Sequence, residues 1–168
     1  MSYKNENMKM IELHENGLDI QFRIRENGVV ELADFSSQEV KKAVMEPKED
    51  ICYPAVEIHR SGTGSLNMHA YKNNINQSSV DFVYENHELK AQAGGKELEI
   101  VMISPEKLKA VYHMRLFDGV PAVQTWTEII NEGSEDQGLT YVSSFMYQGI
   151  SRGGEKPYYK KTDIYVPF

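Results

Sequence analysis

Cysteine is nearly absent from this sequence: Cys52 is the only one among 168 residues. A single thiol cannot form an internal disulfide, so the chain is expected to fold in a reducing compartment. Cys52 has no activating base beside it in the sequence, and a packed thiol is therefore favoured over a nucleophile. The chain also lacks an apolar run of the roughly 20 residues that a membrane helix needs, and its N-terminus lacks the apolar core of a secretory signal. These absences predict a cytoplasmic protein that makes no membrane contact.

Positive charge is scarce as well. Lys and Arg number 18 against 25 Asp and Glu, which gives a formal net charge of -7, and the basic residues are scattered along the chain. Binding to a phosphate backbone needs a basic face, so nucleic acid is not an expected partner. Hydrophobic residues make up 40% of the chain and charged residues 26%, the proportions of an ordinary globular protein. The length of 168 residues fits a single domain, 1–168, with a sizeable core.

Pairs of turn-forming residues divide the chain into short strands. Asn16-Gly17 and Asn27-Gly28 are typical of two-residue hairpin turns, which require positive φ at both central positions. Asp118-Gly119 and Gly94-Gly95 are similar signals further along the chain. Between the first two turns apolar and polar residues alternate, so the apolar side chains share one face and the Asp, Gln and Arg side chains share the other. This opening antiparallel meander is expected to have one buried side and one wet side.

Counting such segments predicts about ten strands with turns at regular spacing, which is typical of a β-sandwich. Strands do not alternate with helices along the sequence, so a parallel sheet is not expected. Ser36 and Glu39 have the spacing of a capping box, which could begin one short helix over the following residues, 40–45. The predicted fold class is all-β, a large antiparallel β-sandwich.

The sequence does not contain a complete set of catalytic or cofactor-binding residues. Gly62-Thr63-Gly64 begins like a dinucleotide-binding fingerprint, but Asn67 stands where the third glycine is needed. The five histidines share no short metal-ligand spacing, so neither a metal nor a cofactor is predicted. Trp126 lies within a predicted strand, and it is interpreted as a mostly buried packing residue rather than a sugar platform. No residue is assigned a catalytic role.

The second half of the chain carries the pattern of a known family. The segment that begins at Glu97 reads ELEIVMISPEKLKAVYHMRLFDGVPAVQTWTEIINEGSEDQGLTYVSS. It resembles the N-terminal domain of the glycoside hydrolase family 36 α-galactosidases, a β-supersandwich like that of galactose mutarotase. The matching positions are Leu98, Ile100, Leu108, Val111, Tyr112, Phe117, Asp118, Ala122, Val123, Trp126, Ile129, Asn131, Gly133 and Leu139. Gly62-Thr63-Gly64, which follows Tyr53-Pro54, resembles the glycine-rich loop of that family.

The resemblance implies an N-terminal fragment of a larger glycosidase. The two catalytic aspartates of that family lie in a (β/α)8 barrel after the sandwich, and no aspartate of this chain matches them. The implied function is a non-catalytic domain that serves domain packing, oligomerisation and the rim of the sugar site. Its implied partners are an α-galactoside carbohydrate, the missing barrel and a second copy of the chain.

The predicted substrate-binding residues come from the same resemblance. Residues 59–74 align with the glycine-rich loop and are rich in planar hydrogen-bonding side chains suited to sugar hydroxyls, so His59, Arg60 and Asn67 are the candidate sugar contacts. A mobile polar loop that binds no sugar is the alternative, and it is slightly favoured. The loop departs from the family at positions 65–67, where an acidic residue, an aromatic residue and an arginine are common and this chain has Ser, Leu and Asn.

Two other functions remain open at this stage. A free-standing carbohydrate-binding module would need aromatic side chains exposed on one face or loop. A small sandwich enzyme of the mutarotase type would use a His and a Glu as acid and base. Because β-sandwiches host many unrelated activities, the fold class alone does not choose between them.

Overall fold

The chain folds into antiparallel β-structure in the computed structural model, which describes residues 9–37, 53–64 and 77–147. The elements, in chain order, are β1 (Lys9–Glu15), β2 (Leu18–Ile24), β3 (Val30–Ser37), β4 (Ile58–Arg60), α1 (Gln77–Val80), β5 (Val83–Gln92), β6 (Gly95–Ile103), β7 (Leu108–Phe117), β8 (Val120–Asn131) and β9 (Leu139–Val142). Every strand pairing in these ranges is antiparallel. No helix in the described ranges is long and apolar enough to cross a membrane.

The first sheet is a meander in the order β1-β2-β3. β1 and β2 are joined by Asn16 and Gly17, whose φ angles of 52° and 83° are the positive values that the hairpin turn requires. Gly28, with a φ of 84°, lies in the turn before β3. The opening meander and its first turn are therefore confirmed, whereas the second turn was predicted wrongly: Asn27 does not have a positive φ, and residues 25–29 form a longer connection between Ile24 and Val30.

The second sheet contains β5, β6, β7 and β8, and neighbours in sequence are neighbours in space. β5 is a ten-residue strand with a register shift between Tyr84 and Asn86. The predicted turn at Asp118-Gly119 joins β7 to β8. β4 and β9 pair with each other as a separate two-stranded sheet.

The first and second sheets pack around one apolar core, and the predicted all-β sandwich is confirmed. Alternate residues of two neighbouring strands enter this core: Leu98, Ile100 and Met102 of β6, and Leu108, Ala110, Tyr112, Met114 and Leu116 of β7. Phe22 of β2 contacts Tyr112 of β7 edge to face, with ring centroids 5.7 Å apart. Burial raises the pKa of the Tyr112 hydroxyl well above its ordinary value. The opposite face of the second sheet is here called the outer face.

The expected wet side of the first sheet is covered at one place, and the prediction was wrong there. Arg23 and Glu31 lie on that side, yet they are only 7% and 3% exposed. Arg23 Nη2 donates to Glu31 Oε2 at 2.8 Å, and Arg25 Nη1 donates to Glu31 Oε1 at 3.1 Å. The Tyr53 backbone N–H also donates to Glu31 Oε1, at 2.9 Å. Burial is tolerated because each buried charge has charged partners and hydrogen bonds.

The one helix of the described ranges is the single turn α1, which holds β4 in place. The backbone N–H groups of Ile58 and Arg60 donate to the hydroxyls of Ser79 and Ser78, at 2.8 and 3.2 Å. The short helix predicted over residues 40–45 lies outside the described residues. Ser36, the first residue of its capping box, belongs to β3.

We expect Phe22→Ala to lower the free energy of unfolding by about 3–5 kcal/mol, the usual loss when a large aromatic side chain is removed from a core. Phe22 is fully buried, and its ring is a direct contact between the two sheets. Urea denaturation followed by circular dichroism measures the change. Leu89→Ala is a matched control on an exposed position and should cost less than about 1 kcal/mol. Equal losses for the two variants would contradict this account of the core.

Candidate functional site

His59 lies on an accessible surface of the small β4–β9 sheet. Its Nε2 is 2.9 Å from Glu57 Oε1, and its ring lies 5.1 Å from the Tyr141 ring between centroids. His59 and Tyr141 are register partners across β4 and β9. The Tyr141 side chain is 51% exposed, and Leu139 and Phe145 beside it in sequence are 40% and 41% exposed. We call His59, Leu139, Tyr141 and Phe145 the β9 surface.

Arg60 is buried whereas its neighbour His59 is partly exposed, and the β4–β9 register shifts between these two residues. Arg60 is 8% exposed, its Nη2 is 3.1 Å from Asp81 Oδ2, and its Nη1 is 2.7 Å from Glu106 Oε2. Burial alone would raise the pKa of Glu106. Hydrogen bonds from Arg60, from the backbone and from Ser104 outweigh burial and hold that pKa below its ordinary value. In the described structure Arg60 joins β4 to neighbouring segments.

The three sequence-predicted sugar contacts are thus not brought together in the described residues. His59 reaches the surface, Arg60 enters a buried ion-pair network, and Asn67 lies outside the described residues together with the rest of positions 65–74. The role of these residues in sugar binding stays a prediction. Tyr141 was not predicted from the sequence as a site residue, although its place in a predicted strand after Gly138 is visible there.

We expect Arg60→Gln to lower the free energy of unfolding by about 1–2 kcal/mol at neutral pH, because hydrogen bonds to charged groups are of that order and both carboxylate partners are partly exposed. The fold lowers the pKa of Glu106 below its ordinary value of 4.5. Its contribution is therefore present above pH 4.5 and is lost as the pH falls through the lower folded value.

The stability difference between Arg60→Gln and the wild type should accordingly shrink in acid. Urea denaturation at pH 7 and at about pH 3 measures it. Lys96→Gln, which removes a more exposed ion pair with Glu15, is the control and should cost less than about 1 kcal/mol at either pH. A difference for Arg60→Gln that grows in acid would contradict the assignment.

A second constellation lies on the outer face of the second sheet, and we call it the outer-face cluster: Glu97, Glu99, His113, Trp126 and Glu128. The strand register places Glu99 opposite His113, and His113 opposite Trp126. His113 Nδ1 is 3.0 Å from Glu97 Oε1 and 3.9 Å from Glu99 Oε1. His113 Nε2 is 3.8 Å from Glu128 Oε2. One imidazole therefore lies among three carboxylates.

His113 is held rigidly in this cluster. Its side chain is 10% exposed, and its ring stacks on Trp126 with centroids 4.6 Å apart and planes 5° from parallel. The buried Nε2 atom has no hydrogen-bond partner among the described residues. Lys90 forms an ion pair with Glu99 at the edge of the cluster. The cluster can hold a cation or exchange a proton between the imidazole and a carboxylate.

Trp126, predicted to be a mostly buried packing residue, is partly buried. β8 is the last strand of its sheet, and Trp126 lies on the outer face, where His113 covers one side of the indole. The sequence also gave no metal-type or acid/base signal here. Glu97-x-Glu99 and His113 become neighbours only through the β6–β7 register, so a search for short motifs misses them.

Comparison with known proteins adds little to this geometry. No model of a known protein family matches the chain, and no curated protein matches it. Among solved structures, the chain is similar to the crystal structure of the GH36 α-galactosidase AgaA from Geobacillus stearothermophilus, with 13% identity and a TM-score of 0.45. The match covers 76% of this chain and 23% of that chain. At that similarity the function has to be argued from the residues of this chain.

We expect Trp126→Ala to lower the free energy of unfolding by about 1–2 kcal/mol, which is less than the loss for a core aromatic residue. The reason is that the substitution removes one stacking contact, with His113, on a partly exposed face. The measurement is the same urea denaturation, with Phe22→Ala as the reference for a fully buried ring. A loss as large as that of Phe22→Ala would show that Trp126 belongs to the core.

Proposed function

We propose that this chain is a non-catalytic β-sandwich domain of a glycoside hydrolase of the α-galactosidase type. In this proposal the domain packs against a catalytic barrel, can associate with a second copy, and contributes the rim of a sugar site. The observation that carries the proposal is the β9 surface, where an exposed aromatic side chain lies against the sequence-predicted sugar contact His59.

The β9 surface has the properties of an interaction site. Leu139, Tyr141 and Phe145 are large apolar side chains, each at least 40% exposed, within seven residues of chain. Exposed apolar side chains that occur together, rather than singly, are typical of surfaces that contact a partner or ligand. Phe145 also packs edge to face on Phe35, so the surface is anchored to the first sheet. This supports domain packing through β9.

The same surface offers the chemistry that sugar rings need. Tyr141 supplies an apolar ring face together with a polar hydroxyl. His59 supplies an imidazole whose orientation is fixed by Glu57, 2.9 Å away. A flat apolar surface beside a fixed polar group can stack on a sugar and bind one of its hydroxyls. A rim of this kind supplies only part of a pocket, so its affinity for a free sugar should be low.

The non-catalytic part of the proposal rests on the state of the carboxylates. Retaining glycosidases need two carboxyl groups about 5 Å apart, one of them free to give a proton to the leaving group. In the described ranges Glu97 and Glu99 approach one another around His113, but they are engaged by His113 and Lys90. Such engagement is typical of an ion-pair network rather than an acid/nucleophile pair.

A second candidate is a free-standing carbohydrate-binding module. The observation that favours it is Trp126, whose indole has one side on His113 and lies on the outermost strand of its sheet. An aromatic ring at the edge of a sheet can stack on a sugar without a neighbouring domain. In this case the outer-face cluster, and not the β9 surface, would respond to sugar.

The test is an NMR titration of the isotope-labelled chain with galactose and raffinose. We expect weak binding, near millimolar or about -4 kcal/mol, with the largest shifts at His59 and Tyr141. Tyr141→Ala should abolish these shifts. Tyr84→Ala is the matched control, because Tyr84 forms a similar ring contact with His87 on β5. Shifts confined to Trp126 favour the second candidate, and no shift with either sugar contradicts both.

A companion assay tests the absence of catalysis. The chain should not hydrolyse aryl α-galactosides above the buffer rate, because Glu97 and Glu99, the carboxylates that approach one another in the outer-face cluster, are engaged by His113 and Lys90. Turnover that a single substitution such as Glu97→Gln abolishes would overturn the non-catalytic assignment.

A further inference from the structure

We propose that Glu97, Glu99 and His113 form a binding site for a divalent transition-metal ion of the zinc class. The three side chains offer Glu97 Oε1, Glu99 Oε1 and His113 Nδ1, and these ligand atoms lie within 4.8 Å of one another. This site does not depend on the proposed carbohydrate function, and it can be tested without any sugar.

The spacing of the ligand atoms is close to what a metal ion needs. Zinc binds imidazole nitrogen and carboxylate oxygen at about 2.0–2.2 Å, so two of its tetrahedral ligands lie about 3.4 Å apart. His113 Nδ1 is 3.0 Å from the Glu97 oxygen and 3.9 Å from the Glu99 oxygen. These two separations lie on either side of the distance between two zinc ligands.

The backbone places these ligands on rigid elements. Glu97 and Glu99 are two residues apart on β6, so they share one face of the sheet, and Glu99 is the register partner of His113. His113 is stacked on Trp126 and is nine-tenths buried. Ligands on paired strands keep their geometry better than ligands on loops. Little rearrangement is therefore needed for binding.

Glu128 supplies the outer partner that a metal-bound imidazole requires. A histidine that binds a metal through Nδ1 carries its proton on Nε2, and that N–H is normally donated to a carboxylate or carbonyl group. His113 Nε2 is buried without a hydrogen-bond partner among the described residues, and Glu128 Oε2 is 3.8 Å from it. Glu128 is 57% exposed and can move to close this distance.

Lys90 is the internal competitor for this site. Its ammonium group binds Glu99 Oε2, while Glu99 Oε1 faces His113. Both a lysine and a divalent cation are attracted by the same carboxylate, so the positive charge of Lys90 weakens metal binding. Removing that charge should strengthen binding, which distinguishes a metal site from an ion-pair network that merely stabilises the sheet.

One imidazole and two carboxylates determine the class of metal. Imidazole suits zinc, copper, nickel and iron, whereas magnesium and calcium prefer sites made of oxygen alone. Affinity should follow the usual order, with cobalt weaker than nickel and nickel weaker than copper. Calcium should bind far more weakly than zinc.

Trp126 is a built-in reporter for this site, because it is the only tryptophan of the chain and stacks directly on His113. The experiment titrates the untagged full chain with Co2+, which quenches a neighbouring indole, and with Zn2+ by calorimetry. We expect saturable one-to-one binding with both ions, and Zn2+ should displace Co2+ and restore the emission. Absence of quenching and of binding heat would overturn the proposal.

Substitutions in the cluster should change the affinity for the metal ion in opposite directions. An ion-pair network that only stabilises the sheet would not show these changes. Glu99→Gln and His113→Gln should weaken binding at least about tenfold, Glu128→Gln about tenfold, and Lys90→Gln should strengthen it. His14→Gln is the matched control, since it removes an exposed histidine that has one carboxylate partner, Asp19, at 2.6 Å. Circular dichroism verifies that each variant is folded. If His113→Gln does not fold, Glu99→Gln and Lys90→Gln decide, and unchanged affinity in both would overturn the proposal.

Discussion

The antiparallel register between β6 and β7 is the constraint on which both the core and the outer-face cluster depend. It places Ile100 opposite Tyr112 on the inner side, and Glu99 opposite His113 on the outer side. Because side chains alternate with a period of two, a slip of one residue would move the apolar set to solvent and bury the charges. The energy of burying Tyr112 against Phe22 therefore also fixes where His113 lies. The register that the core requires therefore also brings together the polar residues of the outer-face cluster.

Much of the fold could be predicted from local chemistry. The turns at Asn16-Gly17 and Asp118-Gly119 and the alternation of the strands carry their own signals, because positive φ and a period of two are properties of neighbouring residues. The buried pair Arg23–Glu31 could not be predicted. Glu31 also accepts a hydrogen bond from the backbone of Tyr53, 22 residues along the chain, and no local pattern contains that contact.

In the candidate sites, too, some features could be predicted from the local sequence, and others depend on contacts between distant segments. His59 and Arg60 were predicted together as sugar contacts. His59 is partly exposed, but Arg60 is buried and is held by ion pairs. The Arg60 network needs Asp81 and Glu106, which belong to other segments. His113 was one of five histidines without a motif. Its two carboxylate neighbours on β6 and its stacking partner on β8 are set by hairpin pairing, which a search for short spacings does not consider.

The buried charged and polar groups of the fold can be compared by how completely they are hydrogen-bonded. Glu31 accepts hydrogen bonds from Arg23, Arg25 and Tyr53, and Arg60 forms ion pairs with two carboxylates, so these interior charges are engaged by the fold. Satisfaction is nevertheless incomplete: in the described residues Arg60 Nε and His113 Nε2 are both buried without a hydrogen-bond partner, and Glu128 Oε2 lies 3.8 Å from His113 Nε2. An unsatisfied buried polar atom costs about 1–3 kcal/mol, and a fold keeps such a cost where something else compensates for it. A metal ion at Nδ1 would do so, because it fixes the proton on Nε2 and draws Glu128 towards it. The stacking of Trp126 on the same ring then protects the site from water without occupying either nitrogen.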